Sequence, residues 1–217
     1  MLSLSLTKSG GGLQVLCLGA HSDDIEIGCS GTVLTLLEAR SDVEVTWVVF
    51  SAEGRREDEA LRSADRLLAA AGSRSVVLKP FRDGFFPFQG AEIKESFEDL
   101  KDKVSPDVIL THHRGDLHQD HRMISDLTWN TFRDHMILEY EIPKYDGDLV
   151  SPNVYVPLTE SVCRRKIENL LETFSTQKGR SWFSEDLFRS LMRLRGMESR
   201  APEGLAEGFH SRKVVLG

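Results

Sequence analysis

The feature that most constrains this chain is a regular alternation of short apolar runs with stretches of helical periodicity. Gln14–Gly19 (QVLCLG), Val43–Phe50 (VEVTWVVF), Ser75–Leu78 (SVVL), Asp107–Thr111 (DVILT) and Ile137–Ile142 (ILEYEI) read as strands. Their near-continuous hydrophobicity is that of parallel strands covered on both faces. Between them lie helical segments at about Gly31–Arg40, Arg56–Ala71, Ala91–Val104 and Asp120–Arg133. In the second of these, Leu61, Ala64, Leu67, Leu68 and Ala71 fall at helical spacing, with Gly72 just beyond its end. Pro106 stops the third. Such alternation predicts an α/β fold, a doubly wound, mostly parallel sheet with helices on both faces.

After Ile142 the pattern changes. Asn153–Leu158 leads into two helices, near Thr159–Phe174 and Trp182–Arg195, and then into a Gly-rich tail. There is no internal repeat and no low-complexity linker, so residues 12–217 are expected to form one domain with a helical C-terminal extension. Residues 1–11 (MLSLSLTKSGG) lack a basic leader and a proper apolar core, and are expected to be a flexible tail rather than a signal peptide.

Composition narrows the function classes. No apolar run approaches the length of a transmembrane helix. A net charge of −7 argues against nucleic acid as a partner, because phosphate binding needs a basic face. Three cysteines, Cys17, Cys29 and Cys163, are odd in number and far apart, which points to a reducing cytoplasm rather than a disulfide framework.

Two polar clusters stand out against this background. THHRGDLHQDHR (111–122) holds four of the chain's seven histidines, and AHSDDIEIGCSGT (20–32) holds another beside paired aspartates. The first follows the fourth strand and the second follows the first strand. In the strand order 3-2-1-4-5 these two strands are neighbours, and ligands bind in the crevice between their C-terminal ends. Imidazole and carboxylate together, without paired thiols, suit Zn²⁺ in a catalytic arrangement of three protein ligands and an open position. His21 and Asp24 are close enough on one loop to share an ion. His118 and His121 lie three apart, on one face if a helix begins there. One can be a ligand while the other faces a substrate. Of Asp23 and Asp24, one can hold the metal while its neighbour takes a proton from the bound water, whose pKa Zn²⁺ lowers to about 7. These parts fit metal-assisted hydrolysis of a carbonyl compound.

The same residues resemble the PIG-L (LmbE-like) family of zinc-dependent N-deacetylases. The family's A-H-P-D-D-E-x-x-G-C/A-x-G-T appears as AHSDDIEIGCSGT, and its H-P-D-H as HQDH (118–121). The resemblance extends to SAEGRREDEA (51–60), LETFSTQ (171–177) and LAEGF (205–209), in order along nearly the whole chain. It implies a Rossmann-like fold and removal of an N-acetyl group from an N-acetylglucosamine-type sugar or its conjugate, an amide hydrolysis. It further implies metal ligation by His21, Asp24 and His121, with Asp23 as general base on the zinc water. His118 would stabilise the oxyanion or protonate the leaving amine, with Asp120 orienting it. Arg56 would approach the acyl group, with Arg55 as a rival for that role, and Asp83 the sugar hydroxyls. The cofactor would be Zn²⁺, although the same ligands accept other divalent transition metals. The partner would be a small N-acetylated sugar, and homo-oligomers are compatible with the family. Three positions depart from its pattern: Ser22 and Gln119 replace prolines, giving up fixed φ angles, and Ile25 replaces an acid.

Among the remaining features, His112 and His113 are expected at the wall of the site and outside the ligand set. Cys29 reads as a small buried residue, and the Gly28–Gly31 stretch as a tight turn from ligand loop to helix. Phe81, Phe85, Phe86 and Phe88 crowd one loop, where they either pack in the core or stack on a sugar ring. Two alternatives stay open. One is an amidase of a related sugar or thiol conjugate using the same metal, and the other is a non-catalytic Rossmann-like binding module. A structural metal would fill all four positions with protein ligands, whereas three plus water are counted here.

Overall fold

In the computed structural model, which describes residue 6 and residues 11–215, the expected alternation builds a seven-stranded sheet of order β3-β2-β1-β4-β5-β7-β6. The tail expected over residues 1–11 lies, apart from Leu6 and Gly11, outside the described residues. The strands are β1 (Leu13–His21), β2 (Val43–Ser51), β3 (Ser73–Leu78), β4 (Val108–His112), β5 (Met136–Tyr140), β6 (Val154–Pro157) and β7 (Ala206–His210). The helices are α1 (Asp24–Ala39), α2 (Arg55–Leu67), α3 (Gly90–Lys101), α4 (Gln119–Thr131), α5 (Glu160–Thr173) and α6 (Glu185–Ser199).

The first five strands are parallel, with β1 paired to β2 on one side and to β4 on the other, as Val15↔Val108 and Leu16↔Ile109 show. Because side chains alternate across a strand, β1 feeds two cores. Leu13, Val15 and Cys17 join residues of α1, α2, α5 and α6 such as Val33, Ala64, Ile167 and Phe188. Leu16, Leu18 and Ala20 join Ile93 and Phe97 of α3 and Ile124 of α4. The helices therefore change face where the chain crosses from β3 to β4, which leaves the crevice between the ends of β1 and β4.

The final third is more than a helical extension. Residues 206–210, expected within a Gly-rich tail, form β7, which pairs antiparallel with both β5 and β6. Its Glu207 is buried and reaches across to α1, accepting from the Gly31 and Thr32 backbone N–H groups at 2.9 and 2.7 Å. The Lys166 ammonium on α5 completes the contact at 2.5 Å from Glu207 and 2.6 Å from the Ile27 carbonyl. Lys166→Met would leave that carboxylate buried without its counter-charge. Breaking a buried pair from one side costs about 3–5 kcal/mol, so the denaturant midpoint is expected to drop with an unchanged m-value. A midpoint equal to the parent's would show that the pair does not hold α5, α1 and β7 together.

The start of α1 also differs from expectation. The helix begins at Asp24, not near Gly31, so Gly28 and Gly31 are helical residues and not a turn. Gly28 is there for close approach: a Cβ on it would run into the Tyr140 ring. Two arginines of α6 divide between core and surface. Arg195 is buried and chelated by Glu141, whereas Arg189 pairs on the surface with Glu160. No helix among the described residues is long and apolar enough to cross a membrane.

Candidate metal centre and pocket

The two clusters meet where β1 and β4 end. β1 finishes at His21, and the chain turns at once into α1, with Asp23 at the N-cap position and Asp24 in the first turn. Carboxylates are favoured there by the helix dipole. Asp24 folds back so that its Oδ2 accepts the His21 backbone N–H at 2.6 Å. β4 finishes at His112, and after a short loop α4 begins with His118 as its cap and His121 in its first turn. The His118 Nδ1 accepts the Asp120 backbone N–H at 3.3 Å.

Three atoms face one another at the centre. His21 Nδ1 lies 3.3 Å from Asp24 Oδ2, His121 Nε2 lies 3.5 Å from the same oxygen, and the two nitrogens are 3.2 Å apart. Ligands about 2.0–2.1 Å from a tetrahedral ion are separated by roughly 3.3 Å, so these spacings are those of a metal-ligand face. The protons agree with the spacing. The other nitrogen of His21 meets Asp83 Oδ1 at 3.0 Å and Asp120 Oδ2 at 3.2 Å. The other nitrogen of His121 donates to Asp116 Oδ2 at 2.9 Å. Each imidazole thus has its N–H directed outward to a carboxylate, and an outward N–H leaves an inward lone pair. Two lone pairs and a carboxylate oxygen converging at this range repel one another unless a positive charge lies between them.

The electrostatics of the cluster favour positive charge. Burial opposes protonation of His21, yet the Asp24 carboxylate and hydrogen bonds to Asp120, Asp24 and Asp83 hold it well above its ordinary value. A divalent cation held there would supply that charge instead. His118 behaves oppositely: burial and the neighbouring His21 lower its pKa, leaving a neutral imidazole. Asp23 is raised by burial, against the pull of Arg56. Asp83 falls to about 2, chiefly through its hydrogen bond to His21.

Other ligand sets lie within reach, namely His21, His118 and His121, or His21, Asp83, His118 and Asp120, or Asp24, His112 and His121. His112 is less available. It is fully buried behind the cluster, its Nε2 accepts the Ala20 backbone N–H at 2.9 Å, and its ring stacks on His121 at 4.0 Å. His113 lies farther off, bonded to Glu139 and stacked on His210.

The cluster forms the floor of an open pocket of about 250 Å³. Of the residues singled out from sequence, His21, Asp23, Asp24, Arg56, Asp83, His118 and His121 line it, and Asp120 lies buried beneath. Arg56 spans the pocket's edge, donating to Asp23 Oδ1 at 3.1 Å and Asp83 Oδ2 at 3.2 Å. Arg55 points elsewhere, to Ser175 Oγ at 3.2 Å. Glu59 ties α2 to the 175–177 turn by accepting from Ser175 Oγ and the Thr176 N–H at 2.7 and 2.9 Å.

The Asp120 carboxylate is not bonded to the His118 ring. It accepts from the Gly84 and Phe86 backbone N–H groups at 2.6 and 3.1 Å and meets His21, so it fixes the loop bearing Asp83. The phenylalanines of that loop do not line the pocket. Phe86 and Phe81 pack against the core, and Phe88 is 80% exposed. The aromatic walls are instead Tyr145 and Trp182, with Lys144, Gln177 and Arg180 beside them. Sequence reasoning missed these, although FSTQ (174–177) marked one of the segments that supply them.

A two-lobed ligand cluster at the switch point of a parallel sheet defines an α/β protein with a candidate metal centre. Residues 16–132, more than half of the chain, match the family model PIG-L, described as GlcNAc-PI de-N-acetylase, and the chain belongs to that family. It is 29% identical over 141 residues to the uncharacterized deacetylase YaiS of Escherichia coli K12, covering 59% of this chain and 74% of that protein. Among solved structures it is similar to GalB, the 4-carboxy-2-hydroxymuconate hydratase of Pseudomonas putida KT2440, with a TM-score of 0.77 and 17% identity over 94% of this chain and 98% of that one. It is also similar to the N,N'-diacetylchitobiose deacetylase of Pyrococcus horikoshii, with a TM-score of 0.70 and 20% identity over 91% and 83% of the two chains. One fold thus carries a hydratase and a deacetylase, and the site must decide the chemistry.

Proposed function

We propose that this protein is a metal-dependent hydrolase that removes the acetyl group from an N-acetylglucosamine-type sugar or its conjugate. The observation that carries the reading is the face formed by His21 Nδ1, Asp24 Oδ2 and His121 Nε2, with Asp23 and His118 on its pocket side. A divalent cation held there, Zn²⁺ or another metal that accepts two imidazoles and a carboxylate, would supply Lewis acidity to an amide carbonyl and to water.

The protein's own groups divide the remaining work. Asp23 has one oxygen engaged by Arg56 and the other left to take a proton from the attacking water. His118 spends its Nδ1 on the Asp120 N–H, so Nε2 is the nitrogen that faces the developing oxyanion and the departing amine. Asp120 orients His21 with its carboxylate and His118 with its backbone. Arg56, suspended between two aspartates, is placed to receive the acyl group and then acetate. Asp83 has its side chain 54% exposed at the rim, where sugar hydroxyls can reach it.

The test is acetate release by the purified protein from a panel of free, nucleotide-linked, glycosidic and phosphatidylinositol-linked N-acetylglucosamine. Release from at least one, lost on chelation and restored by added Zn²⁺, is the expected result. A metal-loaded protein that frees acetate from none of them would sink the assignment.

A further inference from the structure

Asp116 belongs to neither sequence motif's ligand set, yet its carboxylate meets three partners beside the centre. It is 3% exposed, and its Oδ2 accepts both the His121 Nδ1–H and the Lys144 ammonium, each at 2.9 Å. Its Oδ1 accepts the His118 backbone N–H at 2.7 Å. Lys144 is shared with Asp148, 2.5 Å away, whose Oδ2 also accepts the Leu117 N–H at 2.7 Å. A lysine enclosed between two carboxylates is weak evidence for stability, because apolar side chains of the same volume serve as well. Such an arrangement calls for another reason.

The geometry points to Asp116 as a positioning residue for the metal centre and to Lys144 as its brace. Asp116 holds the proton of His121 on Nδ1 and so aims the Nε2 lone pair at the ion. Lys144 keeps that carboxylate in place from the segment that carries Tyr145 and Asp146, which line the pocket. One ion pair therefore links the pocket wall to a ligand. This rests on the metal-centre reading above, but not on the identity of the substrate.

Asp116→Ala and Asp148→Ala each take one carboxylate from Lys144, but only the first takes the acceptor from His121. Zn²⁺ affinity is measured by competition with a chromophoric chelator, alongside the ring ¹⁵N shifts of His121. Outer-sphere partners of metal-bound histidines are worth roughly 10–100-fold in affinity. Asp116→Ala is expected to weaken Zn²⁺ binding by about that factor and to remove the fixed Nδ1–H signature, while Asp148→Ala stays within about threefold of the parent. Should the alanine variant not fold, Asp116→Leu, which is of similar size and offers His121 no acceptor, carries the same comparison. Parental affinity in the Asp116 variants, or an equal loss in Asp148→Ala, overturns the inference. A parent that binds no Zn²⁺ overturns the metal centre itself, a result distinct from either.

Discussion

Asp23→Asn is expected to cut turnover by about 10²–10⁴-fold, the usual contribution of a positioned proton acceptor, while the protein keeps its metal. The substitution preserves size and leaves a carbonyl oxygen for Arg56, whose bond to Oδ1 holds the side chain at 3.1 Å. It removes the ability to take a proton, and nothing in the ligand face depends on Asp23. Two measurements made together are decisive, namely metal content and acetate release. Unchanged turnover would remove Asp23 from the reaction. Turnover lost together with the metal would show that Asp23 acts in binding, so that the division of labour between the paired aspartates is wrong.

Asp24→Asn is expected to give the complementary result, a folded chain without metal and without activity above background. Asp24 is the only anionic member of the face formed with His21 and His121. Without its charge, two neutral imidazoles with lone pairs directed at each other must hold a dication alone. The amide oxygen can still accept the His21 backbone N–H, so the turn from β1 into α1 should persist. Dialysis followed by metal analysis reads the outcome. One ion per chain at parental affinity would mean that another set, such as His21, His118 and His121, forms the centre.

The parts of this fold legible from sequence were those decided by local pattern. β1, β2 and β4 carry largely apolar runs, the signature of strands covered on both faces. Their order is the common doubly wound one, 3-2-1-4-5, which brings together two clusters far apart in sequence. The start of α1 was misread because Gly28 and Gly31 look like a turn, whereas what they answer to is Tyr140 and Glu207, supplied by distant strands. β7 was missed for the same reason. AEGFH carries a glycine and an acid, and Glu207 is tolerated inside only because Lys166 and α1 receive it.

Within the site, ligand types could be read from residue chemistry, but the orienting partners could not. Asp116 is visible only as a member of a crowded stretch, and Asp120 reaches His118 through its backbone N–H while its carboxylate turns to His21, because carboxylate direction depends on tertiary approach. The lost prolines illustrate the same limit. Ser22 is anchored to the Ser51 carbonyl at 3.3 Å and Gln119 to the Gly84 carbonyl, so hydrogen bonds hold what fixed φ angles would have held.

The position of β7 between β5 and β6 has a kinetic consequence. A segment synthesised earlier, β6, can join the sheet only through one synthesised later. Until residues 206–210 dock, β6 has no hydrogen-bonding neighbour in the sheet, and the carboxylate that clasps α1 is missing. Contacts so distant along the chain are slow to close. The helix that presents Asp24 is therefore expected to be locked down late in folding, and a chain refolded without metal is expected to regain the parental near-UV spectrum before any cation is added.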